Sequence, residues 1–454
     1  MKKLMPLLFV AFIHLVSVAQ VSHWATLPFY VNRGQVGFYN DTATKSLYIY
    51  GSFNKVDSST ANIIKWDGVS YTLLKHPRNT IIGQILRYNN YLYVDGDGGL
   101  SRYDGTNWEI MDSFCTGIGG MYVWHNKLLC AGNFRTICGH AIPRAAQFDG
   151  TNWTDFYNVD TLLNATEIWS IGSVVDYKGE TYIAGNLNPQ GKPLISEIAR
   201  FDGQHWKDVG GGIQGNGLAA VGQMLVWKEQ LYVSGMFNVQ DGSPGNCIVR
   251  WDGQKWHRLG EGMPEVNAAI LRMAIFRDKL YAVGNFNYVD KIKANYIASW
   301  DGFKWCSLGD TSDYDSIDDI VDFKDSLYIG GPFWSINGDS SYHHFAKWTG
   351  GDYVKECSVP TSVTEHISLQ FNAEIAPSPS LNGKFNVDFN NQQRIIAAQI
   401  IVCNTTGQIV YQMQNSHVGN NFSKEINLGA VVPGVYFVAI IADGDRVLKR
   451  LVVE

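Results

Sequence analysis

The chain is expected to be all-β: a seven-bladed β-propeller followed by a small immunoglobulin-like β-sandwich. Three observations predict this. The phrase Trp251-Asp252-Gly253-Gln254-Lys255-Trp256 occurs in seven related copies, whose glycines stand at 68, 105, 150, 203, 253, 302 and 350. The spacings are 37, 45, 53, 50, 49 and 48 residues, and a period near 50 marks a repeat architecture. Aromatics make up 13% of the chain, charged residues only 17%, and glycines number 46, the profile of many short strands joined by tight turns.

The copies read Trp66-Asp67-Gly68 with Tyr71, Tyr103-Asp104-Gly105 with Trp108, Phe148-Asp149-Gly150 with Trp153, Phe201-Asp202-Gly203 with Trp206, and Trp300-Asp301-Gly302 with Trp305. A worn last copy is Trp348-Thr349-Gly350 with Tyr353. The fifth repeat shows the whole unit. Val221 to Trp227 is mostly apolar, Lys228-Glu229-Gln230 is a polar corner, and Leu231 to Phe237 is a second run. Cys247 to Trp251 leads into the Asp-Gly turn, and Trp256 to Leu259 closes the unit. Side chains alternate across a strand, so Leu231 and Val233 share one face and Tyr232 the other. Both faces are then apolar, as a sheet packed between two others requires. Glycine tolerates positive φ and aspartate bonds nearby backbone N–H groups, which suits a hairpin turn. The aromatics flanking the turn face each other across the hairpin, where such pairs contribute about 0.2–1 kcal/mol each. Trp251 and Trp256 therefore read as glue between strands rather than as ligand platforms.

Seven units of four strands can close into a ring that leaves only short edges. A linear β-solenoid is the alternative, but its rungs are usually shorter and carry fewer regular hairpins. Residues 22–28, with His23-Trp24-Ala25, look like a fourth strand with no repeat before it. This segment is predicted to pair with the last blade in place of the Tyr353 strand. Over residues 35–358 the repeats resemble extracellular propellers of the kelch and galactose-oxidase-like superfamily, and they are similar to repeats of fungal cell-polarity cortical marker proteins. That resemblance implies a fold and no particular activity.

The first 19 residues read as a signal peptide. Lys2 and Lys3 precede the mostly apolar run Leu4 to Val16, and Ser17-Val18-Ala19 offers small residues for cleavage before Gln20. No later stretch reaches the roughly 18 apolar residues of a membrane span, so no transmembrane segment is expected after cleavage. A net charge of -6 without any lysine or arginine cluster argues against nucleic acid as a partner. Seven cysteines follow the leader. A Cys130–Cys138 disulfide is one option and buried free thiols are the other.

After Cys357 the phrase stops. Residues 359–375 read as a linker. Residues 376–454 form a new module that opens at Pro377-Ser378-Pro379 and carries about six strands, which fits an immunoglobulin-like sandwich. Gly383 and Phe385, the Asn404 to Gly407 turn, Pro433-Gly434-Val435-Tyr436 and Lys449 carry the pattern. The module resembles the type A C-terminal sorting domain of the type IX secretion system of Bacteroidetes, which usually opens Pro-Asn-Pro. The resemblance implies passage through the periplasm and across the outer membrane, with the type IX translocon and a sortase as partners. It also implies release from the cell or tethering to its outer surface.

Local catalytic motifs are missing: there is no HExxH, GxSxG, CxxC pair or P-loop. The Asp-Gly phrase differs from the sialidase Asp box, in which serine, aspartate and glycine alternate. Asp310, Asp313 and Asp315 form a weak Ca²⁺ candidate, because oxygen ligands at near-alternate positions suit that ion. The bland reading is a solvated acidic loop, and no other cofactor is expected. Asp95-Gly96-Asp97-Gly98-Gly99 reads as a turn, and His343-His344 as a loop-exposed pair. The function expected is a secreted or surface binding module for an extracellular glycan or protein, not an enzyme. A polysaccharide hydrolase or lyase with residues drawn from several blades is the alternative. Function should lie where the repeats differ, in loops such as 134–147 and 237–247 and in the short second repeat.

Overall fold

The computed structural model describes residues 23–78, 81–112, 117–159, 170–187, 197–214, 220–309, 316–358, 371–404, 409–442 and 445–454. The fold is all-β and divides into two compact units, residues 1–358 and 359–454.

In the first unit, seven antiparallel sheets of four or five strands follow one another among the described residues. Sheet 5 shows the plan: Ala220–Trp227, Gln230–Met236, Ile248–Trp251 and Trp256–Arg258. The first strands of sheets 1 to 7 are Val36–Asp41, Ile82–Tyr88, Ile118–Trp124, Ser170–Tyr177, Ala220–Trp227, Ala269–Phe276 and Asp319–Phe323. Each lies beside the next, and the seventh lies beside the first. The two-residue alternation does what the sequence requires. Leu231 and Val233 pack with Tyr182 and Ile198 of sheet 4, whereas Tyr232 packs with Met273 and Leu280 of sheet 6.

The Asp-Gly phrase is a turn device. In six copies the aspartate Oδ1 accepts the N–H groups two and three residues on, at 2.6–3.0 Å. The glycine holds positive φ, +103° at Gly253, where a β-carbon would be strained. Trp251 lies opposite Trp256 with ring centroids 5.0 Å apart. The outer tryptophan then reaches the preceding sheet. Trp206, Trp256 and Trp305 donate Nε1–H to the carbonyls of Tyr157, Val209 and Leu259 at 2.8–3.0 Å.

The worn seventh copy has a physical cause. Thr349 donates both its N–H and its hydroxyl to the His23 carbonyl, at 2.8 and 2.9 Å. Phe345–Trp348 makes no hairpin with a following strand, so an aspartate at 349 would have no such turn to cap. The strand Trp24–Ala25 pairs instead with Phe345–Trp348, Trp24 opposite Trp348, as predicted. The displaced segment Glu356–Cys357 becomes a fifth strand of sheet 6, beside Trp305–Ser307.

A disulfide joins Cys306 to Cys357 across that added strand. The Cys130–Cys138 option is not realised. Cys130 is a free, buried thiol on a second strand whose two faces are both packed, and Cys138 is disulfide-bonded without it. The Cys306–Cys357 bond closes a separation of 51 residues, for which chain entropy predicts about 4 kcal/mol. Cys357→Ser is expected to lose stability of that order in urea titrations. An unchanged midpoint would show that the added strand carries no weight.

The second unit has five strands among the described residues: Phe371–Ala376, Lys384–Asn404, Ile409–Asn427, Gly434–Ala442 and Asp445–Val453. About six were expected. The difference arises because 384–404 is one strand that runs on through register shifts near Asn390 and Ile395. Phe371–Ala376 begins inside the stretch read as linker, ends on the first residue of the module, and pairs with 386–391. The core gathers Phe385, Val387, Ile400, Val402, Tyr436, Val438 and Leu451. Among the described residues no helix is long and apolar enough to cross a membrane.

Candidate functional site

Five of the first strands carry a bulge near their beginning, at Ile82/Gln84, Ile118/Gly120, Ile171/Ser173, Val221/Gln223 and Ile270/Arg272. A bulge bends the strand and re-aims a side chain. Here polar groups reach across to the next sheet. Gln84 donates Nε2–H to the Met121 carbonyl at 2.9 Å, and its Oε1 accepts the Met121 N–H at 2.6 Å. Gln223 makes the same pair of bonds with Met273, at 3.2 and 2.5 Å. Ser173 Oγ accepts the Met224 N–H at 2.9 Å, and the Tyr122 hydroxyl donates to the Gly172 carbonyl at 2.6 Å. Asp319 Oδ2 accepts the Phe38 N–H at 2.7 Å and so ties sheet 7 to sheet 1. Sheet 1 has glycine at this level, and the Tyr50 ring fills the space a side chain on Gly37 would occupy.

Charge collects at one sector of these strands. Arg272 Nε lies 4.0 Å from Asp319 Oδ1. Burial pushes the Asp319 carboxyl up to about 6, opposed by the nearby Arg272 guanidinium. Burial also raises Asp318, whose Oδ1 accepts the Ser316 hydroxyl at 2.9 Å. The Tyr50 and Tyr122 phenols are raised by burial and feel the Arg272 charge. Arg272, Asp318, Asp319, Tyr50 and Tyr122 come from sheets 6, 7, 1 and 3, which is why no local spacing revealed them. A separate carboxyl, Asp95, is pushed up to about 7 by burial.

A second cluster lies on the loops. Tyr30 and Trp334 are each 48% exposed. His343 sits between them, with ring centroids 5.7 Å from Tyr30 and 5.9 Å from Trp334. The exposed histidine pair expected from sequence is corrected here, because His344 is buried. The Gly34 backbone packs against its ring so closely that a β-carbon there would stand 2.5 Å from Nδ1. His344 Nδ1 faces the Gly331 carbonyl at 3.2 Å, and the ring meets Trp334 edge-on at 4.6 Å. Desolvation lowers its basicity. No group of three or more His, Cys, Asp or Glu is placed to bind an ion among the described residues.

Asp310, Asp313 and Asp315 lie outside the described residues, as does Gly407. Of the stretch read as a turn, Asp95 and Gly96 end the strand Tyr91–Gly96, and the turn follows them, with Gly99 N–H bonding the Gly96 carbonyl at 3.1 Å. Gly383 has φ +70°, and its carbonyl accepts the Leu428 N–H at 3.1 Å. Phe385 and Tyr436 share the core of the second unit, and the Tyr436 hydroxyl donates to the Val432 carbonyl at 2.6 Å. Gly434 begins its strand, where a β-carbon would meet only the Val432 carbonyl at 4.0 Å, and Lys449 pairs with Val438. These motif residues are thus mainly core and turn formers.

Residues 374–454 match the family described as the secretion system C-terminal sorting domain. This domain marks the protein for secretion or attachment to the outer surface, and it implies export through the type IX machinery. No curated protein matches the chain. Two solved structures of the extracellular domain of BT4673 from B. thetaiotaomicron are similar to it. One has 11% identity and a TM-score of 0.44, covering 93% of this chain and 57% of its own. The other has 10% identity and a TM-score of 0.48, covering 95% and 59%. The chain therefore spans less than two thirds of the length of either.

Proposed function

We propose that residues 20–358 form a seven-bladed, kelch-like β-propeller that works as a secreted or surface binding module. Residues 376–454 are then an immunoglobulin-like sandwich read by the type IX translocon and removed by a sortase. The observation that carries the binding reading is how polar groups at the first strands are used. Gln84, Ser173, Gln223 and Asp319 spend their bonds on the backbone of a neighbouring sheet. A general base must be free to reach the proton it takes. Asp319 has both oxygens engaged, Oδ2 by Phe38 and Oδ1 by the Ile320 N–H at 2.8 Å. A glycan or protein ligand is then held on the loop face, where the repeats differ.

The alternative, a polysaccharide hydrolase or lyase, draws on one observation: Asp318 and Asp319 are adjacent, raised carboxyls beside Arg272. The two readings part in a single assay. Protein lacking residues 1–19 is incubated with a polysaccharide panel, and new reducing ends and unsaturated products are measured. No turnover is expected. Turnover that disappears in Asp318→Asn would establish the enzyme and end the binding-only reading.

A further inference from the structure

We propose that a cavity between sheets 1 and 2 binds a single sugar acid, a small carboxylate that also carries hydroxyls. The cavity lies at the hairpin-turn end of these sheets, beside Asp104 and Gly105. It is away from the long loops between second and third strands, and it is independent of any ligand held there.

The cavity has a cause in the repeat. The residue that closes the first strand is aromatic in sheets 2 to 7: Tyr88, Trp124, Tyr177, Trp227, Phe276 and Phe323. Each of these rings is buried and packs with side chains of the sheet that follows. Sheet 1 has Asp41 at this position. A carboxylate cannot fill the volume of a ring, and a packed interior leaves few voids larger than a water molecule. Arg87 of sheet 2 enters the gap instead. Its Nε donates to Asp41 Oδ2 at 2.9 Å, its Nη2 lies 2.8 Å from the same oxygen, and its Nη1 donates to the Asn90 carbonyl at 3.0 Å. A cavity of about 360 Å³ remains, near the lower end of the about 300–1,000 Å³ of small-molecule sites.

Charge selects the ligand. Tyr48, Lys65 and Thr72 stand in one cross-strand row on sheet 1, and Arg87, Leu92 and Tyr103 in the facing row on sheet 2. All six line the cavity. The basic residues at the position of Lys65 in sheets 2 and 4 have acids on their own sheet. Arg102 donates to both oxygens of Glu109, which stands opposite it, at 2.9 and 3.0 Å, and Arg200 donates to Glu180 at 2.7 Å. In sheet 1, Thr72 stands where Glu109 would, and Ser46 where Glu180 would. Lys65 therefore has a threonine on one side and the Tyr48 ring on the other, with Nζ 6.0 Å from the ring centroid. The nearby acids are committed elsewhere. Asp41 is held by Arg87 and by the Thr44 hydroxyl at 2.7 Å. Asp104, at the rim, spends Oδ1 on the Thr106 and Asn107 N–H groups of its own turn, both at 2.6 Å. A carboxylate on a ligand supplies the charge-assisted bond that the sheet withholds from Lys65.

The rest of the lining favours a sugar over a bare anion. Leu74, Leu92 and the Tyr103 ring give an apolar wall, and Thr44 and Thr72 add hydroxyls. Apolar and aromatic surface meets the C–H face of a sugar ring, while polar groups meet its hydroxyls. Inorganic phosphate would leave that wall uncovered.

The test is isothermal titration calorimetry of the protein lacking residues 1–19 with galacturonate, glucuronate, galactose and inorganic phosphate. At least one of the two acids is expected to bind saturably, with galactose and phosphate about 10-fold weaker or silent. Lys65→Met should weaken the acid by about 10-fold as well, and Lys65→Arg should retain it. Thr72→Glu gives Lys65 the partner that Arg102 has. It should weaken the acid as Lys65→Met does, with a melting point no lower than the parent's, which separates loss of the site from loss of the fold. Binding that is unchanged in both Lys65→Met and Thr72→Glu overturns the site. So does galactose or phosphate binding as tightly as the acids, and so does the absence of binding by either acid.

Discussion

Replacing Trp24 by alanine is expected to destabilise the first unit by about 3–5 kcal/mol, the range for truncating a buried aromatic. Trp24 is 4% exposed and lies in the apolar cluster of sheets 6 and 7 with Phe276, Tyr281 and Leu327. Its ring meets Trp348 edge-on at 4.8 Å, and its carbonyl accepts the Tyr342 hydroxyl at 3.0 Å. Alanine keeps the backbone pairing, whereas loss of the whole strand would cost more because of where it sits. Trp24–Ala25 is the outer strand of sheet 7. Without it, Phe345–Trp348 becomes an open edge, and the tie between segments more than 300 residues apart is lost. Deleting residues 20–30 should be more severe, since Phe29 also leaves the core of sheet 1. Thermal unfolding read by near-ultraviolet circular dichroism checks both. A deletion variant that melts with the parent would show that the pairing does not hold the unit closed.

Changing Asp95 to asparagine is expected to stabilise the protein at about pH 8 and leave it nearly unchanged near pH 5. Asp95 is 8% exposed on the second strand of sheet 2, opposite Gln84. Burial raises its carboxyl to about 7, well above an unfolded aspartate. The folded state therefore holds the proton more tightly than the unfolded state. Stability is full below the unfolded value near pH 4 and falls as pH rises towards 7, after which it is level. The shift corresponds to at most about 4 kcal/mol. Asp319, raised to about 6, acts with the same sign over a lower window, so asparagine at 95 should remove the upper part of the slope and not all of it. The turn aspartates Asp67, Asp104, Asp149, Asp202 and Asp252 act oppositely but at lower pH. Asp67, for example, is held down to about 2 by the Ser70 and Val69 N–H groups. Urea midpoints at a series of pH values decide the matter. An Asp95→Asn variant with the parent's pH slope would place the titration elsewhere.

Much of the fold was legible because it is written in short-range chemistry. An aspartate that caps its own turn, a glycine at positive φ and aromatics in register across a hairpin are all properties of six neighbouring residues. Repetition then multiplies a weak signal. The free strand at Trp24 was also visible, since it looks like an outer strand without a preceding unit. The degeneracy of Thr349 was visible as a departure from pattern, but its cause was not: it follows from the His23 carbonyl, which lies 326 residues away in sequence.

The site was less legible. Arg272, Asp319, Tyr50 and Tyr122 have unrelated sequence neighbours, and only the side-by-side packing of first strands makes them one electrostatic group. His343-His344 looks symmetrical in the chain, yet the Gly34 backbone buries one ring and leaves the other between two exposed aromatics. Cys130 and Cys138 are near in sequence and pack in the same cluster, yet they do not bond: Cys130 is a free thiol and Cys138 is disulfide-bonded without it.

Sequence alone was sufficient for the strand periodicity, the turn chemistry, the pairing of residues 24–25 with the last repeat and the class of the exported tail. Each depends on contacts a few residues apart or on a motif order. Folding in three dimensions was needed to show which polar groups are tied to a neighbouring sheet, which carboxyls are driven from water and which aromatics stay exposed. Those outcomes depend on what lies across an interface between sheets, and a linear pattern carries no record of its neighbours in space.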